Sequence, residues 1–349
     1  MLTEILRRLR HRRLSTVLAP VIVAAVVMPL GICAFLLIGD VAIDARTAYE
    51  ALFQHDANIA AHVIVRDWRL PRAIADLLIG ASLAVAGTIM QTMTRNPLAS
   101  PGIMGLNSGA NFATIAALIL VPSLGRPGLL LVAIAGAASG AALVYGLGSL
   151  SRGGLTPVRL ALTGVAVSTL LGSFSKGVMI YFELGEDLLL WESRGTLNIQ
   201  WEDVMLYLPF FLAGLTGSLA IAPALNVLEL GAQVAQGLGQ QTWLVNLWGG
   251  LVVLLLAGGS VAAAGAIGFV GLMIPHVVRL VVGHDHRVVI PTAALAGGAF
   301  LLIADIGARI VTTPYRAAVP VGVVTSILGV PFFLYLALRR QKSNPGGRP

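Results

Sequence analysis

RLPRAIADLLIGASLAVAGTIMQTMTRNPLASPGIMGLNSGA, residues 69–110, decides the fold. Two arginines, Arg69 and Arg72, open it. An apolar run rich in glycine and alanine follows, and it stops at Arg95-Asn96-Pro97. A second apolar run starts near Ile103. Physically this is a membrane-crossing helix, a tight polar turn and the start of another helix, since Asn-Pro is a good turn former. Gly80, Ala81, Ser82, Ala84, Ala86 and Gly87 would let neighbouring helices approach closely.

The surrounding composition agrees. Of 349 residues, 57% are hydrophobic and 11% charged, against about 25% charged in a soluble domain. Only two lysines occur, Lys176 and Lys342. The chain is a polytopic membrane protein, all-α in class. Its net charge of +7 does not point to nucleic acid. The bases gather in a tail at residues 1–14 and in a second tail at 339–349, as cytoplasmic anchors do. One cysteine, Cys33, excludes an intramolecular disulfide and offers no metal cluster.

The uncharged run Leu14–Ile38 is too long for a signal h-region and long enough to span a bilayer. Ten spans are expected within a transmembrane domain covering 15–338: roughly 15–38, 72–91, 103–122, 128–150, 158–182, 204–222, 243–259, 262–282, 289–309 and 319–338. The pair over 243–282 is expected to break into half-helices at Gly258-Gly259 and at Gly265 to Gly271. Ten spans put both termini in the cytoplasm, and most of the 23 basic residues then fall on that side. The external loop 39–71 is expected to hold a short helix near Ala45–Phe53.

An internal repeat aligns Gly80–Ile89 with Gly258–Ile267, with six identities in ten at an offset of 178. Five spans separate the copies, so they would face opposite ways, giving an inverted repeat of spans 2–5 and 7–10. Two inverted halves suit a transport path that opens to either side.

No enzyme signature is present, and the G-x-x-x-x-G-K-[ST] phosphate loop is absent. His276, His284 and His286 cluster, but without further ligands a hydrated cytoplasmic turn is preferred to a metal site. Intramembrane charge is limited to Asp76, Lys176 and Asp305, each expected to face the protein interior or a cavity. Asp305 and Arg309, four apart, are expected to pair.

Segment 223–242, PALNVLELGAQVAQGLGQQT, is too polar to span. Leu225, Leu228, Leu230, Val234 and Leu238 have near-helical spacing. A short amphipathic helix presented to the cytoplasm fits docking to a partner protein. A helix lying on lipid would carry bases on its polar face, and this one has none.

Seven motifs together resemble the FecCD family: RLPR (69–72), GASLAVAGTIMQ (80–91), RNPLASPGIMG (95–105), LELGAQVAQGLG (228–239), GFVGLMIPHVVRL (268–280), DHR (285–287) and PVGVVTSILGVPFF (320–333). The family consists of permease subunits of ABC importers for iron-siderophores, haem and cobalamin. The resemblance implies a dimer, homo- or heteromeric, with the path at the subunit interface. Two cytoplasmic ATPase subunits would dock at Asn226, Leu228, Glu229, Leu230, Gly231, Leu238 and Gly239. ATP and Mg would be bound there, with no cofactor, metal or catalytic residue in this chain. A periplasmic or lipid-anchored binding protein would meet Arg69, Arg72 and Arg309. The cytoplasmic gate would lie at Asn96 and Leu98, facing Thr156 and Pro157.

Three departures stand out. Ala318-Val319-Pro320 replaces the family's Glu-Leu-Pro, the W-x-x-G-S-L motif is one residue wider at Trp191–Leu197, and Asp76 and Lys176 stand where apolar or small residues are usual. The resulting expectation is an inner-membrane importer of a metal chelate, an iron-siderophore first, haem or cobalamin as the alternative. An ion-gradient-driven secondary transporter is the reading from another class.

Overall fold

The computed structural model describes residues 22–23, 25–150, 157–183, 195–312 and 319–342. Every described regular element is helical. The tail 1–14, Thr156, Trp191 and Ala318 lie outside the described residues.

Helices in chain order are α1 (Ala25–Leu37), α2 (Ala45–Phe53), α3 (Ala60–Thr94), α4 (Leu106–Leu120), α5 (Arg126–Ser149) and α6 (Pro157–Tyr181). They continue with α7 (Trp201–Glu229), α8 (Ala232–Gly237), α9 (Thr242–Ala264), α10 (Val270–Val282), α11 (His286–Thr312) and α12 (Val321–Lys342). Each of the ten expected spans contains a helix, and α2 falls on its expected residues.

The central pillar is α3. Every residue from Ile79 to Thr92 is buried, as expected of a helix apolar on all sides. It packs on α7, α9, α10 and α11. Its small residues make this possible. A Cβ built on Gly80 would sit 2.8 Å from the carbonyl carbon of Gly297 in α11, and one on Gly87 would sit 2.6 Å from Gly271 Cα in α10. The same device joins α4 to α5, where a Cβ on Gly109 would stand 2.9 Å from Gly140 Cα.

The start of α3 differs from expectation. Residues 60–71, read as loop, are helical and continuous with the span, with a π-helical stretch over Ile64–Arg69. A hydropathy reading starts a span at its first apolar run and cannot see a polar helix that feeds it.

The break in the second half is a single one. Gly258-Gly259 stays helical inside α9, next to a π turn at Leu254–Gly258. The chain leaves the helix at Gly265, φ +68°. Thus α9 is long enough to cross, while α10, at 13 residues, is about 20 Å long against about 30 Å of hydrocarbon. Of the two repeat copies, Gly80–Ile89 lies inside α3, and Gly258–Ile267 runs through the end of α9. Both place small residues at close contacts: Gly259 lies against the Tyr207 ring as Gly80 lies against Gly297.

Tyr207 ties three helices at the centre. Its hydroxyl meets Ser82 Oγ at 2.6 Å, Ser260 Oγ at 2.9 Å and the Leu256 carbonyl at 3.2 Å. Asp76 and Asp305 are fully buried as expected. Lys176 is not enclosed by this chain: it is exposed on α6, as are Phe174 and Tyr181.

Candidate functional site

Polar side chains concentrate at the two ends of α3, about 37 Å apart over its Leu70–Thr94 portion. At the first end, Arg69, Arg72 and Arg309 converge. They line a cavity of about 280 Å³ with Asp40, Leu197 and Val319 among its other walls. Arg69 donates to the carbonyls of Leu36 and Val41, both at 2.6 Å, which clamps the α1–α2 connection. Arg309 lies 3.7 Å over the Phe35 ring.

The expected Asp305–Arg309 pair is replaced by a longer-range one. Arg72 forms a fork with Asp305, Nε to Oδ2 at 2.7 Å and Nη2 to Oδ1 at 2.5 Å. The i,i+4 rule holds for isolated helices. Here α3 and α11 touch, and a planar guanidinium presented across that contact offers two parallel bonds instead of one. Asp76 is adjacent, with Asp305, Arg72 and Thr196 as its polar neighbours, and neither of its oxygens makes a well-formed hydrogen bond.

The opposite end carries the turn after α3. Arg95 adopts φ +48°, an uncommon conformation for a residue with a side chain. The Asn96 N–H then bonds to the Gln91 carbonyl at 3.2 Å and closes the helix. Asn96 Oδ1 accepts the Leu98 N–H at 3.0 Å. Asn96, Leu98, Leu160 and Ala161 line one small cavity, so the turn lies against the start of α6, which Pro157 begins.

Segment 223–242 is two pieces joined by a bend, not a single amphipathic helix. Residues 223–229 complete α7, and Leu225 and Leu228 are buried in the core. Gly231 takes φ +125°, a conformation open to glycine, and the short α8 follows. A Cβ on Gly231 would also come within 2.8 Å of Arg95 Nη2. Of the five apolar side chains, Leu230, Val234 and Leu238 stay exposed, at 65%, 50% and 67%. Gly239, φ +81°, turns the chain toward α9.

Of the clustered histidines, His284 is exposed as expected of a hydrated turn, and His286 is not. His286 is fully buried. Asn226 Oδ1 accepts the His286 backbone N–H at 2.7 Å and lies 2.8 Å from His286 Nδ1, while Nε2 lies 2.7 Å from Thr92 Oγ1. Asn226 Nδ2 donates to Asp285 at 2.7 Å, which fixes the amide orientation. With Nδ1 facing the Asn226 oxygen, the proton of the neutral ring is assigned to Nδ1, and Nε2 shares the one Thr92 hydroxyl proton with the Thr88 carbonyl, 3.0 Å from Thr92 Oγ1. Glu229 contacts His284 Nδ1 at 3.1 Å. Burial pushes the Asp285 carboxyl up, but the hydrogen bonds from Asn226 and from the Arg287 N–H outweigh it and hold the group below its usual range. Arg279 donates to Gln91, whose amide donates to the Gly271 and Leu272 carbonyls. The bond of Asn226 to His286 was not legible in the sequence: the two are 60 positions apart.

Residues 21–339 match the FecCD transport family. The chain is 46% identical over 326 residues to the iron(3+)-hydroxamate import system permease protein FhuB of Bacillus subtilis, covering 91% of this chain and 84% of that protein. It is 42% identical to the Fe(3+)-citrate import system permease protein YfmD of the same organism, covering 93% and 96%. A solved structure of a metal-chelate type ABC transporter in an inward-facing conformation superposes with a TM-score of 0.75 at 26% identity, covering 92% of this chain and 98% of that one. A bundle built on α3, the match along nearly the whole chain and the likeness in three dimensions agree: the chain belongs to the FecCD transport family of import-system permeases.

Proposed function

We propose that this chain is the membrane subunit of an ATP-driven importer that takes up a ferric siderophore by alternating access, with ATP hydrolysed on partner subunits. Binding and hydrolysis there would shift the balance between outward- and inward-open states. The observation that carries the reading is the exposed apolar surface of Leu230, Val234 and Leu238, held on a base formed by Asn226 and Glu229, on a segment with no basic residue of its own. It suits a protein partner better than a lipid surface. The two Bacillus relatives, named for iron-hydroxamate and iron-citrate, support iron chelates as the cargo.

A second permease subunit accounts for the face of α6. Leu162, Val165 and Lys176 are exposed there. A lysine held at the centre of hydrocarbon costs about 2.5–3.5 kcal/mol. A path lined by water or a partner subunit on this face removes that cost. The α12 face with Val323, Ile327 and Leu334 is exposed as well. At the other pole, the cavity walled by Arg69, Arg72 and Arg309 supports capture of acidic side chains from a binding protein. On this reading both termini lie in the cytoplasm, and Asn96 and Leu98 meet Thr156 and Pro157 at the inner gate.

Uptake tests the reading. A deletion strain carrying this chain should accumulate radiolabelled ferric hydroxamate, and accumulation of labelled haem or cobalamin instead would reassign the cargo. Transport by the purified chain in vesicles without any ATPase would refute the ATP-driven mechanism. Leu230→Asp is expected to abolish co-purification of the ATPase while the protein still inserts, and normal co-purification would remove the docking assignment.

A further inference from the structure

The docking surface and the turn at the end of α3 are joined by two contacts that use different atoms. In the first, Asn226, on the last turn of α7, holds the backbone and ring of His286 at 2.7 and 2.8 Å, and the far ring nitrogen holds Thr92 at 2.7 Å. Thr92 precedes Asn96 by about one helical turn. In the second, the Arg95 guanidinium packs on Gly231, at the hinge between α7 and α8. The imidazole is fully buried and bridges three helices: α7, α11 and α3. Its two nitrogens point in opposite directions across the ring, so it acts as a strut of fixed length. A polar strut in a packed interior holds its position because breaking either bond leaves a buried ring nitrogen unsatisfied.

We infer that His286 is a positioning residue for transport: it makes the docking segment and the Asn96–Leu98 turn move as one body, so that motion imposed at Leu230–Leu238 reaches the gate. This rests on the reading of that segment as the ATPase dock. The geometry also separates the roles, because His286 and Thr92 contribute nothing to the exposed surface the partner would touch.

The test uses the assembled complex of this chain with its co-purifying ATPase in vesicles. Three quantities are read: ATPase co-purification, ATP hydrolysis and uptake of radiolabelled ferric hydroxamate. His286→Ala and Thr92→Val should retain the ATPase and its hydrolysis while uptake per ATP falls at least tenfold. Thr92→Ser, which restores the hydroxyl, should recover it. Should His286→Ala fail to fold, Thr92→Val, nearly identical in shape, decides alone. Unchanged uptake per ATP in Thr92→Val overturns the inference. Loss of the ATPase from Thr92→Val also overturns it, since the contact would then serve only to build the dock. Failure of the docking reading shows separately, as retention of the ATPase by Leu230→Asp.

Discussion

Gly87→Ala is expected to lower the thermal unfolding midpoint of the purified protein in detergent sharply, while Gly146→Ala leaves it unchanged or raises it. Both glycines are in helix interiors, and both substitutions add one methyl. Their surroundings differ. At Gly87 the new Cβ would overlap the Gly271 carbonyl and lie 2.6 Å from Gly271 Cα. What stands in the way is backbone, so α3 and α10 must separate. Overpacking costs about 1–3 kcal/mol, and the upper end applies where no side chain can rotate away. A wider gap between these helices would also pull Gln91 from the Gly271 and Leu272 carbonyls. At Gly146 a Cβ would meet no atom within 4 Å, and alanine is favoured over glycine in a helix by about 0.5–1 kcal/mol. Gly80→Ala and Gly297→Ala should behave like Gly87→Ala, because those two glycines face each other across α3 and α11. Equal midpoints for the Gly87 and Gly146 variants would refute the described contact of α3 with α10.

Such contacts mark what could be read from the sequence. Hydropathy is a local property, and it placed a helix in all ten expected spans and at Ala45–Phe53. Close packing was legible too, since a run such as Gly80–Gly87 has few other uses in a membrane. What it packs against was not legible. Nothing local to Gly80 names Gly297, and nothing local to Asp305 names Arg72 instead of the nearer Arg309. The segment 223–242 shows a different limit. Near-helical spacing of its leucines suggested one helix face, but Leu228 and Leu230, two apart, fall on opposite sides of the end of α7, one in the core and one outside, and Gly231 then bends the chain. His286 was misjudged because a charged, histidine-rich turn usually stays hydrated. Here α3 and α7 both reach it, and its polar atoms are met by Thr92 and Asn226 instead of water.

Removing the charge of Asp305 should reveal a reserve partner for Arg72. Arg72 is almost wholly buried and Asp305 fully so. Taking one partner from a buried ion pair ordinarily costs about 3–5 kcal/mol, because it strands the other charge. Asp76 changes this case. It lies on α3 one turn beyond Arg72, is fully buried, and neither of its oxygens makes a well-formed hydrogen bond. In Asp305→Asn the guanidinium can turn toward that carboxylate, so the loss should fall below the ordinary range. Asp76→Asn alone keeps the Arg72–Asp305 fork and should cost less than Asp305→Asn. The double variant Asp76→Asn with Asp305→Asn removes both carboxylates that neighbour Arg72 on α3 and α11, and it should cost about 3–5 kcal/mol. Unfolding midpoints of the parent, both single variants and the double close the cycle, and a coupling of about 1–3 kcal/mol between the two aspartates is expected. Additive losses would show that Asp76 does not substitute for Asp305. With the coupling present, the arginine end holds its charge in a pair that can exchange partners without leaving a guanidinium bare. That is a suitable property for a surface proposed to exchange carboxylates with a second protein, since Arg72 could engage an incoming acid while Asp76 and Asp305 share what remains.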